Sequence, residues 1–167
     1  MSLRGRYLRP TSYARRIEEI DVDLLRRDGV RGIIIDLDNT LVGYRLDAPR
    51  AEVAAWLERA QQSGVQAIVL TNNATDWALQ TAEALKVRCI PNARKPLLRG
   101  FYAALRALGT SSEETVVIGD QLFTDVLGAK RFGMKVILTE PIVAREQWWM
   151  RLTRFVERVV LYRAPRT

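Results

Sequence analysis

Gly32-Ile-Ile-Ile35 runs straight into Asp36-Leu-Asp-Asn-Thr40, and this junction constrains the chain more than any other stretch. Three isoleucines with no polar alternation read as a strand buried on both faces. Strands of that kind belong to parallel sheets covered by helices on either side. The run ends in carboxylates at alternate positions, and in an extended chain Asp36 and Asp38 face the same way. Converging carboxylates repel each other unless bound ions make use of them.

The same plan repeats along the chain. The segment 47–64 reads as a helix with Asp47 as a cap, Pro49 in its first turn and Gly64 as its stop. VQAIVLT at 65–71 is the next buried strand, 74–86 has helical spacing, and VRCI at 87–90 is a short strand. Pro96 is expected to open a helix that runs through Leu108 and stops at Gly109. TVVIGD at 115–120 is a strand ending in an acid, 123–133 a helix closed by Gly133, and KVILT at 135–139 a last strand. Alternation of this kind predicts a Rossmann-like, doubly wound α/β fold with a mostly parallel sheet, in one domain over 1–167. In such sheets the ligand crevice lies outside the carboxyl ends of the strands. Those ends carry Asp36 and Asp38, then Thr71 and Asn72, then Lys95, then Asp120: three acids, a hydroxyl and a lysine on one rim.

Composition removes other chemistries. The 167 residues contain no histidine, which excludes serine–histidine hydrolysis and histidine-ligated zinc. The single cysteine, Cys89, excludes an internal disulfide and points to a reducing, cytoplasmic setting. No apolar run reaches transmembrane length and no signal-peptide core is expected at the N-terminus. The net charge of +7 sits at the ends: residues 1–31 hold eight arginines against five acids, and residues 141–167 hold six against two. Bases segregated in this way favour anionic surfaces, lipid or nucleic acid.

A carboxylate nucleophile, a second acid, a hydroxyl, a lysine and a divalent cation are the parts of a phosphoryl-transfer site. Asp36 would attack phosphorus and form an aspartyl-phosphate. Mg2+ would be held by Asp36, the Asp38 carbonyl and Asp120. The Asp38 side chain would protonate the leaving oxygen and then deprotonate water. Thr71, Asn72 and Lys95 would bind the phosphoryl oxygens, with Thr40 and Asp125 in support. Each residue alone has a plainer reading. Asp36 and Asp38 serve equally as a turn acid and a helix cap, Thr71 as a strand end, Lys95 as solvated surface, and Asp125 as an early-helix acid favoured by the macrodipole. It is their joint placement at successive strand ends that favours chemistry.

DLDNT, VLTNN, NARKP and GDQLFTDVLGAKRFG resemble the four motifs of the haloacid dehalogenase (HAD) superfamily, and more narrowly its subfamily IIIA phosphatases of the YqeG type. The resemblance runs over nearly the whole chain, including RPTSYARRIEEI at the front. It implies Asp36 as nucleophile, Asp38 as acid and base, Thr71 and Lys95 as phosphate-binding groups, Asp120 as metal ligand and Asp125 as the second acid of the last motif. It implies a capless fold too, since the stretches from Asp36 to Thr71 and from Thr71 to Lys95 are filled by the elements already named. An open site suits a phosphate on something bulky, and YqeG-like relatives imply phosphatidylglycerophosphate. The C-terminal AREQWWMRLTRFVERVVLYRAPR spaces Trp148, Leu152, Phe155, Val159 and Tyr162 on one helical side and Arg151, Arg154 and Arg158 on another. That pattern suits either a helix packed on the core or one lying at the anionic inner face of a membrane. A polynucleotide or protein phosphatase, and a non-catalytic phosphate-sensing or partner-binding protein, are the competing readings. Nucleic acid is disfavoured by the lack of any recognised binding module.

Overall fold

The computed structural model describes residues 7–43 and 48–143. Strand β1 (Ser12–Ala14) leads through a 3-10 turn (Ile17–Glu19) to helix α1 (Val22–Arg27), then β2 (Gly32–Ile35), α2 (Ala51–Gln62), β3 (Gln66–Leu70), α3 (Asp76–Ala84) and β4 (Arg88–Ile90). Helix α4 (Leu98–Leu108), β5 (Thr115–Gly119), a π-helical turn (Leu122–Val126), α5 (Leu127–Arg131) and β6 (Lys135–Thr139) complete the order. The six strands form one sheet in the order β1-β6-β5-β2-β3-β4, every pair parallel.

Period-two alternation along the strands splits the core in two. Ile33, Ile35, Val69, Val116 and Ile118 face Val53, Trp56, Leu57, Ala78 and Ala82 of α2 and α3. Ile34, Ile68, Leu70, Val117 and Val136 face Phe101, Ala104, Leu105 and Leu108 of α4 and Ala129 of α5. Both faces are therefore dry, which is why β2 tolerates no polar residue. Trp56 is wholly buried and spends its one polar atom on the Ile20 carbonyl (Nε1–O 2.7 Å), tying α2 to the N-terminal segment.

The chain winds outward from β2 through β3 to β4, then returns across to β5 and β6 on the other side. The winding reverses between β2 and β5, so the crevice of the sheet opens between their carboxyl ends, at Asp36 and Asp120.

Several expectations are corrected. Helix α2 begins at Ala51, with Arg50 in the cap position and no side-chain cap bond. Pro49 therefore precedes the helix, and Asp47 lies outside the described residues. Helix α4 begins two residues after Pro96, with Leu97 at its cap. The 123–133 helix is a π turn followed by a short α-helix. The glycine stops do hold: Gly64, Gly109 and Gly133 all adopt positive φ just past a helix end. The basic amphipathic segment expected over the C-terminal residues lies outside the described residues. No helix among those described is long and apolar enough to cross a membrane.

Candidate active site

Each loop at the carboxyl edge is shaped by its own sequence. After β2 the Asp36 N–H still donates to the Ile118 carbonyl (2.9 Å), so the ladder with β5 carries Asp36 one step beyond the strand. The chain then turns tightly. Leu41 and Val42 donate back to the Leu37 carbonyl (3.1 and 3.2 Å), and Asn39 takes a left-handed φ of 65°, which asparagine tolerates better than most residues. After β3 the Thr71 hydroxyl accepts the Asn73 N–H (3.0 Å) and donates to Asp38 Oδ2 (3.4 Å). Thr71 is completely buried, so this hydroxyl belongs to the site and not to the surface.

Lys95 stands at the centre. Its Nζ lies 2.5 Å from Asp36 Oδ1 and 2.6 Å from Asp125 Oδ1, and all three residues are buried. Burial alone would push the lysine down, but the charges of Asp125 and Asp36 outweigh it and hold the ammonium above the usual lysine range. Burial pushes the Asp125 carboxyl up to about 6 while Lys95 pulls it down and Asp36 adds to the rise. The plainer reading of Lys95 as solvated surface is excluded by this placement.

Asp125 reaches the lysine because of the π turn and a glycine. Its Oδ2 accepts the Gln121 N–H (3.2 Å), and its side chain lies directly over Gly119. A Cβ at 119 would overlap the Asp125 carboxylate, so the end of β5 has to be glycine. The spacing in the sequence fits a regular helix equally well, and for that reason the Lys95–Asp125 pair was not legible there.

Carboxylate oxygens of Asp36, Asp120 and Asp125 all lie within 4.8 Å of one another. The donors are oxygen only, the chain has no histidine, and Asp36 Oδ2 is buried without a hydrogen-bond partner among the described residues. This set fits a hard divalent cation. Its third carboxylate is Asp125, which the sequence places only in support. The Thr40 hydroxyl, on the loop after β2, is buried and likewise has no hydrogen-bond partner among the described residues. Asn72 follows Thr71 on the same loop. Its side-chain amide is engaged by the backbone of Lys95, accepting the N–H (2.6 Å) and donating to the C=O (3.2 Å). These two bonds tie Asn72 to the loop that carries Lys95.

Comparison with known proteins finds relatives over most of the chain. Residues 14–133 match the family described as haloacid dehalogenase-like hydrolase. The chain is 36% identical to Probable phosphatase YqeG of Bacillus subtilis, an alignment covering 93% of this chain and 91% of that protein. It is 29% identical to the chloroplastic/mitochondrial Phosphatidylglycerophosphate phosphatase 1 of Arabidopsis thaliana, over 86% of this chain and 44% of that longer protein. Among solved structures, 3-deoxy-D-manno-octulosonate 8-phosphate phosphatase from Yersinia pestis superposes with a TM-score of 0.54 at 20% identity, covering 69% of this chain and 67% of that one. At that identity the likeness is one of fold.

Proposed function

The chain belongs to the haloacid dehalogenase-like hydrolases and is a phosphatase of that family, and from this premise we propose a Mg2+-dependent phosphomonoesterase working through an aspartyl-phosphate on Asp36. One observation carries the reading. Loops after four strands bring Asp36, Asp38, Thr71, Lys95, Asp120 and Asp125 together at the crevice between β2 and β5.

Asp36 Oδ1 is tied to Lys95, its Oδ2 has no hydrogen-bond partner among the described residues, and we assign the attack on phosphorus to this carboxylate. Attack forms the Asp36 O–P bond as the P–O bond to the alcohol breaks, and Asp38 gives its proton to the departing oxygen. Asp38 then takes a proton from water, whose oxygen attacks phosphorus, releases phosphate and restores Asp36. The Thr71 hydroxyl, beside Asp38, is placed to donate to a phosphoryl oxygen, and the Lys95 ammonium offsets the charge that builds up next to Asp36. Asp36, Asp120 and Asp125 would hold Mg2+, with the Asp38 carbonyl as a further donor. The ion's contribution when bound is to lessen the repulsion between carboxylate and phosphate dianion.

The favoured substrate is phosphatidylglycerophosphate. Support comes from the Arabidopsis relative, from the basic ends of the chain, and from the connections among the described residues. Between β2 and β3, and between β3 and β4, those connections hold turns and one helix each, with no cap over the rim. Phosphate release from phosphatidylglycerophosphate in mixed micelles, compared with nucleotides, phosphopeptides and small sugar phosphates, tests the assignment. Faster turnover of any soluble class than of the lipid would replace it.

A further inference from the structure

We propose that Asn72 is a positioning residue whose side-chain amide grips the Lys95 backbone at both its N–H and its C=O and so fixes where the lysine ammonium stands. The inference rests on the role given to Lys95 above. The two bonds (2.6 Å to the N–H, 3.2 Å from the amide to the C=O) need an acceptor and a donor side by side on one side chain. A carboxamide alone supplies that pairing at this reach; a carboxylate would set a negative oxygen against the Lys95 carbonyl, and serine is too short.

The loop carrying Lys95 needs such a grip. Asn92 and Arg94 sit at positive φ (50° and 54°), a conformation that persists only where surrounding contacts over-determine it. Two backbone bonds dock the loop on the preceding one, Ala93 N–H to the Thr71 carbonyl (2.9 Å) and Asn92 N–H to the Asn73 carbonyl (3.2 Å). Neither reaches Lys95 itself. Lysine has a long flexible stem, and its ammonium meets both Asp36 and Asp125 only if the stem starts from a fixed point. Asn72 supplies that point. Among the described residues its side chain bonds the Lys95 backbone and neither carboxylate, so it acts through Lys95.

The test is a double-mutant cycle on Asn72→Ala and Lys95→Met, read as kcat and KM for p-nitrophenyl phosphate with Mg2+, beside the melting temperature of each protein. Asn72→Ala is expected to lower kcat/KM by about 10- to 100-fold, the scale of a misplaced catalytic group. It should add almost nothing in the Lys95→Met background. Fully additive losses would mean that Asn72 contacts the phosphate itself and would overturn the proposal, as would unchanged kcat and KM in a stable Asn72→Ala protein. Wild-type turnover by Lys95→Met would instead remove the role of Lys95 on which the inference stands. A second measurement needs no lysine variant: acetylation of Lys95 by acetic anhydride, followed by mass spectrometry relative to the exposed Lys86. The Lys95 to Lys86 ratio should rise in Asn72→Ala at temperatures where that protein is folded, and an unchanged ratio overturns the proposal. Asn72→Ser carries the same comparison if the alanine variant does not fold.

Discussion

A single carboxylate decides the chemistry proposed here. Asp36→Asn removes the nucleophile, and turnover should fall to background while the protein stays folded. Lys95 keeps Asp125 as a partner, and one charge leaves a crowded cluster, so the melting temperature is expected to move little. Phosphatase activity at the wild-type level in Asp36→Asn would end the covalent mechanism. Gly119→Ala tests the other side of the site. The new methyl overlaps the Asp125 carboxylate, so the acid must leave its place beside Lys95. A loss of about 100-fold in kcat/KM and of about 1–3 kcal/mol in stability is expected. Adding Asp125→Ala should restore the stability and not the activity, which a urea melt and a rate assay read separately. Residue identity made Asp36, Asp38, Thr71 and Asp120 legible in the sequence because each sits at the end of an apolar run. The partners of Asn72 and Asp125 were not legible, since both are set by loops that meet only after the sheet has formed.

Elements carry these residues to within bonding distance, and helix packing sets the tolerance. Gly128 of α5 lies against the ring of Phe101 in α4, and a Cβ there would occupy the position of the ring edge. Phe101 is fully buried in its cluster and has nowhere to turn. Gly128→Ala should therefore force α4 and α5 apart and cost about 1–3 kcal/mol in chemical denaturation. A variant as stable as the wild type would show that the two helices can slide. The strands β2, β3, β5 and β6 and helices α2 to α4 were legible because continuous apolar runs and glycine stops outline them. Strand β1 was not: three residues with an exposed tyrosine show no pattern, and they become a strand only because β6 offers them an edge. Pro96 misled in the opposite direction, since a proline just before a helix resembles a proline inside its first turn.

At the scale of the whole molecule, the sheet gathers acids from two loops, and a cation that binds only the folded state must stabilise it. Mg2+ at a hundred times its Kd should add about 2.7 kcal/mol, read as a rise in melting temperature that Asp120→Asn abolishes. Activity that survives thorough chelation would overturn the metal assignment. The charged ends pose the remaining question at this scale. The central residues 32–140 hold equal numbers of bases and acids, so the +7 excess belongs to the two termini. If those arginines meet an anionic bilayer, each contributes about 1 kcal/mol near the surface, within a Debye length. Replacing Arg151, Arg154 and Arg158 with Gln should then weaken binding to vesicles rich in acidic lipid by up to about 100-fold at low salt. Turnover of a soluble phosphate ester should hardly change, because none of the residues gathered at the crevice is altered. A C-terminal segment that packs on the core instead gives the reverse result, with no vesicle binding to lose and a lower melting temperature from missing side-chain contacts. Co-sedimentation at low and high salt separates the two outcomes, and failure of the wild type to bind at either salt retires the membrane contact while leaving the phosphatase intact.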